Sequence, residues 1–406
     1  MLPPGVRRWT GCIALLRSHA AMLPPHALTA SHARIASQDP NPKAVNLAQG
    51  AYRDGSGKPF VLQSVVKAER RVAQELAGGS LDKEYLDSGG NPAFLAAAAR
   101  FALGESSKAL AEDRVAAIQT LSGTGALRRA AETLKRIAGV NKIWISQPSW
   151  GNHAKVFEAA GLGVETYTYL DSKTGTTLDF AGLIRDLSSD AVPEGSVVLL
   201  HCSAHNPTGV DPSPEQWRQI ADVFARRKLV PLLDSAYQGY ASGCPATDAF
   251  AIREFDARGP AAVPTMLVCQ SFAKNMGLYG ERCGALLLVT DSAAKSKALH
   301  GNVTVKIIRP MYSSPPVHGS RLATLLLTDK ELNQEWLVEL KGMADRIISM
   351  RRELVAALVG LGEPADKWRH ISDQIGMFAF TGLSPEQVGQ MLARMIDERG
   401  VAADVG

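Results

Sequence analysis

Short apolar runs alternate with helix-like segments between about residue 115 and residue 290. The apolar runs, each as long as a buried strand, are VAAIQTL, KIWISQP, VETYTYL, SVVLLHCSA, LVPLLDSA, VPTMLVCQ and ALLLV. Between them, segments such as ALRRAAETLKRIAG, HAKVFEAAG and PEQWRQIADVFARR repeat apolar positions every three or four residues, which is typical of a helix. Strands that alternate with helices predict βαβ units, so we expect an α/β fold with a mostly parallel sheet.

The pattern changes beyond residue 320. A long helix is predicted over roughly residues 330 to 360, followed by the short apolar run GMFAFTGL and an amphipathic helix over 385 to 399. The Pro- and Gly-containing segment SSPPVHG precedes this part of the chain. The change predicts a second, smaller domain.

Several of the predicted strands end in small or polar residues. These tails read SGTG, SQPSWGNH, HCSAHNPTG, DSAYQGY and SFAK. In open α/β sheets, ligands bind outside the carboxyl ends of the strands. We therefore expect the five tails to form one shared site.

The last tail, in SFAKNMGLYGERCG, places Lys274 and Arg282 between two apolar runs. Taken alone, this segment is equally consistent with a surface loop that carries two solvated cations. If the tails converge, however, Lys274 lies beside Asp234, and a lysine is buried only when it is paired or has lost its charge. A neutral lysine can form a Schiff base, which predicts a carbonyl cofactor.

The neighbouring groups suit pyridoxal phosphate. Asp234 can keep the pyridine nitrogen protonated, Trp150 offers a flat face for stacking, and Asn206 and Tyr237 can donate to the ring oxygen. A phosphate cradle at the start of a helix is predicted from Ser122, Gly123, Thr124, Ser271 and Arg282. Each residue alone has an ordinary explanation: a turn cap for Asp234, core packing for Trp150, and hydrogen-bonded core histidines for His153 and His201.

Composition and charge favour a small-molecule partner. The chain has 46% hydrophobic and 21% charged residues and a net charge of +4, without the basic cluster that nucleic-acid binding requires. Its five cysteines are scattered and never in CxxC spacing, so neither a disulfide framework nor a metal site is predicted.

The first 38 residues contain no Asp or Glu but carry Arg7, Arg8, Arg17 and Arg34. This composition is typical of an organellar transit segment, and the run IALL is too short to span a membrane. We expect a mitochondrial (matrix) protein with a leader over residues 1–30. The alternative is a disordered basic start on a cytoplasmic protein.

The segments SQPSWGNH, LLHCSAHNPTGVDPSPEQW, DSAYQGYASG and QSFAKNMGLYGERCGA together resemble class I aminotransferases, and closely the aspartate aminotransferase group. The similarity runs from VNLAQGAYRDGSGKPF to DQIGMFAFTGL, and SFAKNMGLYGER resembles the mitochondrial members. The resemblance implies the PLP-dependent transferase fold type I. It divides the chain into an arm and small-domain segment over 31–60, a large PLP-binding domain over 61–325, and a smaller α+β domain completed by 326–406.

The resemblance also implies roles for residues in a homodimer with shared active sites. Lys274 is the Schiff-base lysine, Asp234 binds the ring nitrogen, Tyr237 and Asn206 donate to the ring oxygen, Trp150 stacks, and His153 and His201 support Asp234. The phosphate group is held by Ser122, Gly123, Thr124, Ser271 and Arg282, with Tyr85 from the other subunit. Arg309 reaches across the dimer to the side-chain carboxylate of the substrate, whose pocket Gly50, Trp150 and Asn206 also line.

The implied reaction is reversible, ping-pong transfer of the amino group of L-aspartate to 2-oxoglutarate, giving oxaloacetate and L-glutamate. In the family a second arginine, in a GRxxxAG motif, follows the last helix, and no residue before the end at MIDERGVAADVG matches it. Losing that bidentate partner of the substrate α-carboxylate predicts a cost of roughly 2 to 5 kcal/mol in binding. The alternatives are therefore a truncated, catalytically impaired PLP-binding homologue, or an aromatic-preferring aminotransferase of the same subgroup.

Overall fold

The structure of the chain, a computed structural model, describes residues 50–382. The predicted leader, most of the N-terminal arm and the helix expected over 385–399 lie outside the described residues. Within them, the long helix predicted over 330 to 360 is confirmed as Lys330–Gly360.

Within residues 50–382, seven strands form one sheet. They are β1 (Val115–Leu121), β2 (Lys142–Gln147), β3 (Gly163–Thr168), β4 (Val197–His201), β5 (Val230–Ser235), β6 (Met266–Ser271) and β7 (Cys283–Val289). Their order across the sheet is β1-β7-β6-β5-β4-β2-β3. Strand β7 pairs antiparallel with β1 and β6, and every other neighbouring pair is parallel. The mostly parallel sheet is thus confirmed.

Helices fill the connections and cover the sheet. They are α1 (Gln63–Ala77), α2 (Pro92–Leu103), α3 (Lys108–Ala111), α4 (Ser122–Arg136), α5 (His153–Glu158), α6 (Phe180–Ser188), α7 (Pro214–Arg227), α8 (Pro245–Asp248), α9 (Phe250–Ala257), α10 (Gly259–Ala262), α11 (Ala293–Val303), α12 (Arg309–Tyr312), α13 (His318–Thr328), α14 (Lys330–Gly360) and α15 (Ala365–Asp373). A π-helix, Thr304–Ile308, joins α11 to α12. In the described part of the chain, no helix is both long and apolar enough to cross a membrane.

The sheet has a core on each face because strand side chains point alternately to opposite sides. In β4, Val198 and Leu200 belong to one buried cluster, whereas Val197 and Leu199 belong to the other. Such strands read as continuous apolar runs, as expected for a parallel sheet covered on both faces.

The long helix α14 is fastened to the segment that follows β6. The Asp329 carboxylate caps its first turn by accepting from the backbone N–H groups of Glu331 and Leu332. The buried Trp336 indole donates to the carbonyl oxygen of Asn275 over 2.8 Å, next to Lys274 in the chain. The long helix is thereby anchored beside the expected site.

Candidate active site

The polar strand tails converge on one cavity of about 270 Å³. It is lined by twelve of the residues predicted from the sequence: Gly50, Ser122, Gly123, Thr124, Trp150, His201, Asn206, Asp234, Tyr237, Ser271, Lys274 and Arg282. Loops at the carboxyl ends of strands in an α/β sheet are a common place for such a site. His153 contacts Asp234 from outside the lining, whereas Tyr85 and Arg309 are exposed and do not line this cavity.

Lys274 follows β6 and extends into the cavity. Its ammonium nitrogen lies 4.6 Å from the centre of the Tyr237 ring. Burial lowers the pKa of Lys274, and the nearby charge of Arg282 lowers it further, while Asp234 acts in the opposite direction. The net shift increases the neutral fraction of the amine, which is the form that acts as a base or a nucleophile.

Asp234, at the end of β5, is 8% exposed and accepts a hydrogen bond from His153 Nε2 over 3.1 Å. Burial pushes the pKa of Asp234 upward. The hydrogen bond that His153 donates is the largest of the opposing effects, which together outweigh burial, so the pKa of Asp234 stays below its ordinary value. The carboxylate is therefore ionised at neutral pH.

A chain of hydrogen bonds links the two histidines behind Asp234. The backbone N–H of Asn206 donates to His201 Nδ1 over 3.3 Å, which leaves the proton of a neutral His201 on Nε2. That Nε2 lies 3.1 Å from Ser149 Oγ, which in turn lies 2.9 Å from His153 Nδ1. Burial lowers the pKa of His201 to about 3, so the ring is neutral and the chain runs in one direction toward Asp234.

Two members of this network were not singled out from the sequence. Ser149 links the two histidine rings, and His205 packs against His201 with ring centres 4.1 Å apart. The His205 ring nitrogens lie 2.9 Å from Ser146 Oγ and 2.8 Å from Thr208 Oγ1. Both residues stand inside motifs that the sequence marked, SQPSWGNH and HCSAHNPTG. Their linking role depends on the packing of two separate strand tails, which no spacing within either motif reveals.

The start of α4 forms a cradle for an anion. Ser122 Oγ lies 2.9 Å from Ser271 Oγ, and a methyl group on Gly123 would come within 3.2 Å of the Ser271 side chain. The first amides of a helix have no partner within the helix and point outward, and the helix dipole favours negative charge there. Arg282 adds a guanidinium to the same cavity. This set of donors fits a phosphate group.

Part of the cavity lining brings the two ends of the described chain together. The Phe378 ring lies 3.4 Å from where a side chain on Gly50 would begin, so a larger residue at Gly50 would press on that ring. Phe378 also meets the Tyr237 ring edge-on at 6.4 Å. Phe378, in GMFAFTGL, carried no chemical signal in the sequence, because an apolar residue in an apolar run predicts only burial.

The family model for aminotransferases of class I and II matches residues 42–406. The chain belongs to this family of transaminases. It is 46% identical over 396 residues to the mitochondrial aspartate aminotransferase of Xenopus tropicalis. That alignment covers 96% of this chain and 90% of the relative. The cytoplasmic aspartate aminotransferase structure from Saccharomyces cerevisiae is 40% identical, with a TM-score of 0.84 and coverage of 94% of this chain and 90% of that one.

A third relative shows the cofactor. The aromatic-amino-acid aminotransferase of Burkholderia pseudomallei, solved with covalently bound pyridoxal phosphate, is 36% identical with a TM-score of 0.83 and covers 95% of this chain and 92% of that one. Members of the family depend on pyridoxal phosphate, and the fold-type and cofactor expectations are confirmed. The donor set of the cavity fits that cofactor: an anion cradle, a buried carboxylate and a lysine of lowered pKa.

Proposed function

We propose that this aminotransferase transfers the amino group of L-aspartate to 2-oxoglutarate, giving oxaloacetate and L-glutamate, with one site used for both half-reactions. The observation that carries the proposal is the meeting of Lys274, Asp234 and the anion cradle in one cavity. The resemblance to proteins named aspartate aminotransferase, at 46 to 49% identity, favours this substrate over others.

The residues of the cavity divide by the part of the cofactor they would hold. The start of α4, with Ser271 and Arg282, would bind the phosphate, and Asp234 would accept a hydrogen bond from the ring nitrogen. Tyr237 and Asn206, whose side chains meet over 3.4 Å, would donate to the ring oxygen. When bound, the group supplies an aldehyde carbon and an electron-withdrawing ring.

Lys274 would move the proton. A general base must be neutral at the working pH, and burial shifts the pKa of Lys274 in that direction. Its amine would accept the proton from the α-carbon of the incoming amino acid and return a proton to the α-carbon in the reverse half-reaction. The hydrogen-bond chain through Ser149 would keep Asp234 ionised while this happens.

Tyr85 and Arg309 support a homodimer. Both are exposed, and Tyr85 keeps 85% of its accessible surface, although the resemblance gives both a role in binding. Val305 (66%) and Met311 (42%) are large apolar residues exposed near Arg309. We propose that a second copy covers them and receives Tyr85 and Arg309 at its own cavity, where the guanidinium would pair with the side-chain carboxylate of the substrate.

The location is proposed to be the mitochondrial matrix. The acid-free N-terminal sequence and the mitochondrial relatives favour it, although a cytoplasmic protein is also among the similar structures.

The test is a coupled assay of the holoenzyme that measures oxaloacetate from L-aspartate, alongside the same assay with L-phenylalanine. Borohydride reduction followed by peptide mass mapping would locate the cofactor mass, expected on Lys274, and Lys274→Ala is the matched control for both measurements. Conversion of aspartate supports the proposal. Preference for phenylalanine would identify an aromatic aminotransferase, and cofactor on Lys274 without conversion of either substrate would refute transaminase activity.

A further inference from the structure

Arg129 is a buried cation that the proposed reaction does not use. It lies on α4 and is 2% exposed. Among the described residues, its Nε and Nη1 have no hydrogen-bond partner. Burial alone lowers its pKa to about 10, so the guanidinium is charged at neutral pH. A buried charge without a counter-ion is costly and calls for a specific compensating contact.

That contact is the ring of Tyr312. The central carbon of the Arg129 guanidinium lies 4.0 Å from the centre of the Tyr312 ring, which is the geometry of a cation–π interaction. Tyr312 closes α12, the single turn that begins with Arg309. Within that described turn, Arg309, Pro310 and Met311 are exposed, and Tyr312 is the side chain that packs inward.

The backbone on both sides of Tyr312 is irregular. The preceding π-helix gives Arg309 a hydrogen bond from its N–H to the carbonyl of Thr304, five residues back. After Tyr312, Ser313 has φ +65° and ψ −68°, and the N–H of Ser314 donates to the carbonyl of Tyr312 over 2.8 Å. This is a γ-turn of the rare positive-φ kind, which persists only where surrounding contacts hold it.

We propose that Arg129, by stacking on Tyr312, is a positioning residue for Arg309 and so sharpens selection of dicarboxylate substrates. The inference rests on the proposed function, because it needs Arg309 to bind a side-chain carboxylate. A bidentate arginine pair tolerates little displacement, since two parallel hydrogen bonds must form together. Releasing the turn would therefore weaken binding of the side-chain carboxylate of the substrate to Arg309 and leave the other contacts of the site unchanged.

The experiment compares Arg129→Met with Arg136→Met, an exposed arginine on the same helix. Binding of succinate to the holoenzyme is measured by calorimetry, and kcat/KM is measured for L-aspartate and for L-phenylalanine. For Arg129→Met we expect succinate binding and the aspartate kcat/KM to fall about tenfold, through KM, while the phenylalanine value stays within about twofold. Arg136→Met should behave as the unsubstituted enzyme.

Two further variants separate positioning from folding. Arg129→Lys keeps a cation over the ring and should restore most of the aspartate selectivity. Tyr312→Leu removes the ring and should reproduce the selective loss even if Arg129→Met fails to fold. Equal losses for aspartate and phenylalanine, or no loss at all, would overturn the inference while leaving the proposed function intact. Failure of the unsubstituted holoenzyme to bind succinate or convert aspartate would overturn both.

Discussion

The hydroxyl of Ser149 is the link in the site whose removal can be analysed most directly. Ser149→Ala removes one oxygen atom and leaves the backbone unchanged. In the structure that oxygen lies 2.9 Å from His153 Nδ1 and 3.1 Å from His201 Nε2. Without it, His153 Nδ1 and His201 Nε2 would each lose a hydrogen-bond partner.

The magnitude follows from the burial of those two groups. His153 is completely buried and His201 is 5% exposed, so neither ring nitrogen can turn to bulk water. An unsatisfied buried polar group costs roughly 1–3 kcal/mol, which gives an upper limit of about 6 kcal/mol for two. Ser149 itself is only half-buried, so water can enter from its side, and we expect a loss of about 2 kcal/mol in the free energy of unfolding.

Function should suffer as well, because the Nε2–H of His153 would no longer be directed at Asp234. We expect kcat/KM for aspartate to fall about tenfold, as is typical when a partner behind a reacting group is lost. The assays are urea unfolding of the apo protein at neutral pH and steady-state kinetics of the holoenzyme. Ser149→Thr is the matched control, since it keeps the hydroxyl. A Ser149→Ala protein with unfolding free energy within about 0.5 kcal/mol of the unsubstituted chain and unchanged kcat/KM would refute the hydrogen-bond chain.

The remaining predictions concern a titration and two packing contacts. Burial lowers the pKa of Lys274 in the folded protein, so between that pKa and about 10.4 the unfolded chain binds more protons than the folded one. The free energy of unfolding of the apo protein, relative to that of Lys274→Met, should therefore rise with pH across this window. A difference between the two proteins that does not change with pH would contradict the shift. Gly376 has φ +85°, and Gly376→Ala would force a methyl group into a neighbouring loop. This variant should lose about 2 kcal/mol more free energy of unfolding than Gly175→Ala, where φ is +64° and the space is open. Equal losses in urea unfolding would show that the clash is not the cause. Arg351 is buried and donates to three backbone carbonyl groups of the segment that contains Phe378. Arg351→Met should therefore lower the free energy of unfolding by roughly 2–5 kcal/mol, whereas Arg352→Met, at the exposed neighbouring position, should be nearly neutral. Thermal unfolding of the two variants measures this difference.

Much of the sheet could be predicted from the sequence. Apolar runs of five to seven residues, such as β4 and β7, are covered on both faces and show their burial directly in their composition. The cavity could be predicted at the level of strand tails, because parallel strands place their carboxyl ends along one edge. The resemblance then implied roles for some residues of each tail, but not for Ser149 or His205.

Other features needed the three-dimensional arrangement. The sequence offered no reason to bury Arg129, since an arginine in a helix that also carries Arg128 and Arg136 reads as a solvated face. Its burial follows from the packing of α4 against the π-helix and α12. Gly50 and Phe378 meet at the cavity wall although they stand near opposite ends of the described chain.

The sequence alone therefore determined the α/β class, the order of the main elements and the family, because these are written in short windows of periodicity and motif. It also predicted candidate residues for the chemistry. Tertiary structure decided which of the candidate residues share a cavity and which histidines Ser149 links by hydrogen bonds. It also decided the contact between Arg129 and Tyr312. The physical reason is that hydrogen-bond direction and burial depend on atoms from distant segments, whose separation is set by the packing of the whole sheet and its helices.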